Sequence, residues 1–320
     1  MSSTSTSAEL KTTSRPYLAL GLTFLLLGIG YSLPLKLVPV PPKHIWEGSL
    51  APEILNLYAL TVFAGWSHFA YAWRGQWLAS RRYSRTSRTG YWAAVCILLL
   101  LLVALRTWLG VAVFSLLAWV YNISHFVKAE VFFSGISEIR TAYYSPVVAF
   151  AWFTLCLFRA GSLGNPLIVF AGSAAIAVVI LACGGWQMLA KGEVLLPLLT
   201  LFLLGETMVW SSYGRYMSES FRVGIYIFHI AAASFYHYLT AYFYAESRGK
   251  GTGSTLRSSA ILMVNFAMIV IGIATAWLHG MQWLQPLFGV GWFTLWVALH
   301  LAGSDLQPIW KRHLVTAPSP

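Results

Sequence analysis

Residues 91–109 read YWAAVCILLLLLVALRTWL, with Arg106 their only charge. As a helix this run is about 28 Å long at ~1.5 Å per residue, close to the hydrocarbon depth of a bilayer. A soluble amphipathic helix needs a polar face repeating every three or four residues, and this run has none. It is read as a membrane span, and similar runs recur on both sides of it. Further spans are expected at 17–38, 55–74, 111–133, 145–161, 166–189, 193–213, 223–245, 259–279 and 286–303. The count is about ten, with eight or nine if neighbouring segments such as 91–109 and 111–133 are counted together.

Composition agrees with the local reading. Of 320 residues, 58% are hydrophobic and 10% charged, and the mean hydropathy is +0.67. Soluble domains carry about 25% charged residues. A soluble enzyme, a disordered protein and a disulfide scaffold are excluded. The expected fold is all-α: one polytopic transmembrane helical bundle over 17–303, with a disordered polar tail at 1–16 and a cytoplasmic tail at 304–320. The run from Tyr17 to Val38 is longer than a signal-peptide core and no small-residue cleavage site follows it, so it is expected to be retained. Pro39, Pro41 and Pro42 then stop the helix.

The net charge of +11 is read as topology rather than as nucleic-acid binding. Arg74, Arg81, Arg82, Arg85 and Arg88 share one short loop, which faces anionic headgroups if it is cytoplasmic. Placing the N-terminus inside puts 14 Lys and Arg on the inner side and 6 on the outer, Lys128 being left within a span. Both termini are therefore expected to be cytoplasmic. Cys96, Cys156 and Cys183 lie in apolar stretches and are odd in number, so buried free thiols are expected. Trp73, Trp77, Tyr91, Tyr143, Tyr144, Trp283 and Trp310 lie near span ends and suit an interfacial belt.

Ionisable groups inside spans are costly, and they usually face the bundle interior. His68, His125, His237 and His300 come from four different spans, yet all fall ~5–12 Å below the inner edge at ~1.5 Å per residue. Four imidazoles in one layer suit a transition metal held between helices. Hydrogen bonds between helices account for such histidines equally well, and both readings stand at this level. His229 and His279 belong to the outer half. Glu130 follows His125, and Asp305 follows His300, by five residues, which is ~140° of helix rotation. Neither acid shares its histidine's face, so each suits a role as acceptor that fixes the tautomer of a histidine on a neighbouring helix. Glu206 is a third intramembrane acid without an obvious local partner, read as protonated or bonded to a nearby histidine or hydroxyl. Aromatic residues around His125 and His237 suit a polyene cavity or ordinary packing. No phosphate loop, zinc Cys pair or nucleophile elbow is present. Residues 249–253, Gly-Lys-Gly-Thr-Gly, read as a flexible inner loop, and Asn122-Ile-Ser124 lies within a span, so glycosylation there is discarded.

The segment Ile123-Ser-His125-Phe126-Val-Lys-Ala129-Glu130-Val-Phe132 resembles the His-Phe-x-x-Ala-Asp/Glu-x-Phe segment of the Brp/Blh family of integral-membrane β-carotene 15,15'-dioxygenases. Leu299-His300-Leu-Ala-Gly-Ser-Asp305 is similar to that family's late His-x4-Asp. His68 and His237 fall where its first and third regions are expected, so the order holds over residues 55–310. The resemblance implies a helical bundle holding Fe(II), or another His-liganded transition metal, through His68, His125, His237 and His300. Glu130, Asp305 and Glu206 are the accompanying acids. It also implies oxygenative cleavage of a polyene taken from the lipid, in a bacterial inner membrane. Ala241 stands where the family has a second histidine in its third region, and Ala72 where its first region has an acid. Such departures fit a second class, a non-catalytic pigment- or lipid-binding subunit. A third, a proton-coupled carrier using Glu206, lacks the repeats such proteins carry. The expected partners are membrane lipid and a hydrophobic polyene or pigment.

Overall fold

The computed structural model describes residues 4–38, 50–135, 141–163, 165–193, 195–248 and 253–316, and among these there is no strand. Ten long helices carry the described chain: α1 Thr4–Ser32, α2 Pro52–Ser80, α3 Arg85–Leu109, α4 Val111–Phe133 and α5 Ser145–Leu163. They continue as α6 Pro166–Ala190, α7 Leu195–Tyr213, α8 Glu219–Arg248, α9 Gly253–Trp277 and α10 Phe293–Thr316. Six segments are long and apolar enough to cross a membrane. They are α3, α4, Thr141–Arg159, α6, α7 and His279–Lys311. Helices α1, α2 and α8 are as long but more mixed in composition, and α9 contributes the shorter apolar stretch Leu262–Trp277. The chain is an all-helical membrane protein.

Several helix boundaries differ from the sequence reading: α1 ends at Ser32, α2 runs on to Ser80 and α3 begins at Arg85, so Arg74, Arg85 and Arg88 lie in helices rather than in one loop, α9 begins at Gly253, and α10 begins only at Phe293. Helix α1 already begins at Thr4, so the polar stretch read as a disordered tail is helical from there on. Helix α10 runs on to Thr316, past the end of its apolar stretch. The proline stop at 39–42, Lys43, Arg140, the loop residues 249–252 and the last four residues lie outside the described residues. Between α3 and α4 the chain breaks at Gly110, whose φ of +76° is left-handed and open to glycine without strain. Residues 91–109 and 111–133 therefore belong to separate helices. Helix α6 is interrupted by a wide turn over Leu181–Gly185, centred on Gly184 at φ +112°.

The helices fall into two compact units. The first holds α1, α2 up to Tyr58, α4 from Ile123, and α5 to α8. In it α5 packs on α6 and α7, and α1 lies along α8. The Ser145 and Thr200 hydroxyls join α5 to α7 at 2.8 Å, and the Trp152 indole donates to Ser173 Oγ of α6 at 3.0 Å. The second unit holds the rest of α2, α3, α4 up to Asn122, α9 and α10. Here α10 lies against α3, where Trp310 packs over Gly90 and donates to the Ser87 carbonyl at 3.2 Å. Ser115 on α4 meets Thr294 on α10 at 3.1 Å. Arg106 lies 4.0 Å from the Trp292 ring and donates to the Gly291 carbonyl, which occupies the one charge of the 91–109 run.

Exposed faces are strongly apolar. Ile97, Leu100, Leu101 and Trp108 stand out from α3, and Leu167, Phe170, Val178 and Val179 from α6. Such faces are stable when lipid is the solvent. This corrects the reading of the thiols: all three cysteines are free, but only Cys156 is buried, while Cys96 and Cys183 lie on these outward faces. An apolar stretch in a membrane helix has an outside as well as an inside. The aromatic belt is corrected likewise. Trp77 and Trp283 are exposed, whereas Tyr91 and Tyr143 are buried, their hydroxyls donating to Gln76 and to Glu193.

Helix α9 approaches α2 through Gly272, where an added Cβ would run into the Phe63 ring. Small residues permit such approach between membrane helices. Gly272→Val is expected to destabilise the second unit by about 1–3 kcal/mol. A lowered unfolding midpoint in detergent is the readout, and an unchanged midpoint contradicts this packing.

Candidate functional site

Each unit contains one histidine pair. In the first, His125 of α4 and His237 of α8 have ring centroids 5.2 Å apart with planes at 72°. His237 is buried, and the Phe126 ring stacks on it at 4.4 Å and 22°. In the second, His68 of α2 and His300 of α10 are 5.5 Å apart at 82°. His300 is buried as well, with Phe69 lying over it at 5.0 Å and continuing onto Phe293 at 5.3 Å.

The two pairs are built alike. Ser67-His68-Phe69 and Ser124-His125-Phe126 are the same tripeptide. Successive residues on a helix are ~100° apart, so the phenyl follows its histidine round the helix and covers the imidazole brought by a later helix. Rotation of α2 is set by Ser67, which donates to the Ala64 carbonyl at 3.0 Å and also meets Asn265 of α9. Helix α10 is tied to α2 one turn beyond His300. There the Ser304 hydroxyl donates to the His300 carbonyl at 2.8 Å and accepts from the Gln76 amide at 3.3 Å. Phe126 is among the aromatic residues that the sequence places around His125, whereas Phe69 and the repeated tripeptide are not among the sequence candidates. The signal available was the recurrence of Ser-His-Phe in two spans.

The acids find tyrosines. Glu130 accepts from Tyr236 of α8 at 3.3 Å, and Tyr236 is the residue before His237. Asp305 accepts from Tyr121 of α4 at 2.5 Å. Each acid joins its helix to a neighbour through a hydroxyl one turn or so from a histidine. Glu206 has a local partner after all: the Trp210 indole, one turn further along α7, donates to Oε2. His229 Nε2 of α8 lies 3.9 Å from the same oxygen. His229 Nδ1 is 2.8 Å from the Ile225 carbonyl and donates to it, which fixes that ring nitrogen as the protonated one. His279 is exposed beside Gln282 and belongs to neither pair.

The donor chemistry of each pair fits a transition metal. Two imidazoles bonded to one ion at ~2.0–2.1 Å put their ring centres on the order of 4.5–5.5 Å apart. Rings in that relation are inclined rather than stacked, as both pairs are. Neutral imidazole suits iron, zinc, copper and nickel. Buried aromatic cover on one ring of each pair keeps water from that side. Comparison of the chain with protein-family models, with curated proteins and with solved structures gives no match.

The Tyr121–Asp305 bond holds α4 and α10 in register near His300. A double-mutant cycle of Tyr121→Phe and Asp305→Asn is expected to show coupling of about 1–3 kcal/mol, as for hydrogen bonds to charged groups. Additive effects on the unfolding midpoint contradict that assignment.

Proposed function

We propose that this protein is an intramembrane non-haem iron oxygenase that cleaves a carotenoid or similar polyene with dioxygen. His68, His125, His237 and His300 are its ligands for one Fe(II), or another His-liganded transition metal. The observation that carries the reading is the paired construction: two Ser-His-Phe segments, each bringing an imidazole to a buried histidine and a phenyl to cover it. Metal-binding histidines need such fixed orientation, and two built alike argue for one purpose. The resemblance of these segments to the Brp/Blh dioxygenases supplies the reaction class.

A metal held by these imidazoles would supply activation of dioxygen. The chain's own residues do the rest. Phe126 and Phe69 exclude water from one face of His237 and His300, which protects a reactive centre. Tyr236 and Tyr121 fasten Glu130 and Asp305, so that these acids position the helices carrying the histidines. The apolar helices accept a polyene directly from the bilayer, and the double bond that breaks takes one oxygen atom on each carbon to give two carbonyl products. In the membrane the chain crosses ten times, with both termini in the cytoplasm of a bacterial cell, in keeping with 14 inner and 6 outer cations.

Elemental mass spectrometry of detergent-purified protein is expected to find close to one iron per chain. His125→Ala and His68→Ala should each reduce it by tenfold or more, and the wild type should convert β-carotene to aldehyde products. A metal-free wild type overturns the oxygenase. If that metal-free protein carries a pigment, a non-catalytic pigment-binding subunit takes its place.

A further inference from the structure

The corner between α2 and α3, in the second unit, carries positive charge that the surrounding chain does not balance. No Asp or Glu occurs between Glu53 and Glu130, yet Arg74, Arg81, Arg82, Arg85 and Arg88 all fall in that stretch. Arg88 is half-buried and the other four are exposed. Among the described residues of the second unit the one acid is Asp305, which is committed to the Tyr121 hydroxyl. Arg85 and Arg88 also stand in the first turn of α3, where the peptide dipoles favour acids and none is present. Like charges three residues apart on a positive helix end repel, and an anion from outside the chain relieves them.

Apolar side chains accompany the charge. Arg74, Trp77, Leu78 and Arg81 follow one another at intervals of three, one and three residues, which sets them on one stripe at the end of α2. Helical bonding reaches Arg81, whose N–H donates to the Trp77 carbonyl at 3.2 Å. Trp77 is 50% exposed and Leu78 40%, and Arg81 lies 5.0 Å from the centre of the Trp77 ring. A cation seated on an exposed indole, with an exposed leucine beside it, offers adjacent contacts to a phosphate and to a hydrocarbon chain. An acidic protein segment would use the arginines and leave that apolar surface idle. We infer that this corner binds an anionic phospholipid, its phosphate held by Arg81, Arg82 and Arg85 and its acyl chains lying along Trp77 and Leu78. Charge topology requires only a diffuse attraction to headgroups, whereas this is a fixed site.

The site bears on the helices that carry the histidines. The Trp92 indole of α3 donates to Ser80 Oγ of α2 at 3.3 Å, and the Tyr91 hydroxyl to Gln76 at 3.4 Å. Gln76 in turn donates to Ser304 of α10, and Trp310 of α10 to the Ser87 carbonyl of α3. The corner therefore ties α2, α3 and α10 together, and α2 and α10 bring His68 to His300. A lipid bound there stabilises the folded second unit by mass action. The inference stands apart from the oxygenase reading, since it uses none of the histidines as ligands.

The test uses the full chain in detergent, with phosphatidylglycerol, phosphatidylcholine and glycerol phosphate as probes. Bound lipid is counted by native mass spectrometry, and the unfolding midpoint is followed on the same samples. Phosphatidylglycerol is expected to stay bound and to raise the midpoint at a concentration where phosphatidylcholine does neither. Arg81→Gln and Arg85→Gln should each weaken its binding about fivefold, and together about 25-fold. Lys191→Gln, which removes an exposed cation of the first unit, should leave binding unchanged. Should an arginine variant fail to fold, the wild type decides, because about 1 M salt should release the lipid that about 0.1 M salt retains. Equal retention of the two lipids, or an equal loss in Lys191→Gln, overturns the inference. So does glycerol phosphate that is as effective as the lipid, which marks a site for soluble anions. Displacement of phosphatidylglycerol by poly-glutamate at equal concentration also overturns it, in favour of an acidic protein segment.

Discussion

A polar side chain on a helix surrounded by lipid has no water to turn to, so its partner has to be another part of the protein. That constraint organises this chain. Several polar groups of the described helices meet in pairs: Tyr121 with Asp305, Tyr236 with Glu130, Ser115 with Thr294, Ser145 with Thr200, Trp152 with Ser173. Each pair joins two helices at a fixed height. Apolar packing between lipid-facing helices is weakly directional, because lipid tails are as apolar as leucine. The polar pairs therefore decide which faces of the helices look inward, and the histidines are oriented as a consequence.

The helical segments were legible because their signal is simple. Long apolar runs with no polar face have one stable form in a membrane, and long helices occupy most of the segments so read, apart from 33–38 and the short turns before Phe293. Less legible was which side of each helix is inside. Residues 91–109 are apolar all round, so nothing in them distinguishes Val95, which is buried, from Cys96, which faces out. Tyr91 and Tyr143 misled for a related reason. A tyrosine near a span end can serve the headgroup region or a buried hydrogen bond, and its partner, Gln76 or Glu193, is on another helix.

The candidate residues were legible as types, since histidine and acid inside apolar runs stand out. Their grouping was less so. His125 with His237 and His68 with His300 are pairings between distant segments, and spacing along the chain gives their depth without their direction. Glu206 shows the opposite case. Trp210 is one turn away on the same helix, a partner visible from spacing once indole N–H is counted as a donor. The phenyl cover on His237 and His300 was hidden in plain sight by the commonness of phenylalanine in membrane helices, and only the second occurrence of Ser-His-Phe gives it meaning.

The histidine pairs matter most if both serve one ion. X-ray absorption at the iron edge of the purified protein addresses this directly, because imidazole ligands leave a characteristic outer-shell pattern that can be counted. The account predicts a nitrogen-dominated first shell with multiple imidazoles in the wild type, and one imidazole fewer on the residual iron that His125→Ala and His68→Ala each retain. A sulfur shell, or a histidine count that responds to only one of the two pairs, would contradict it.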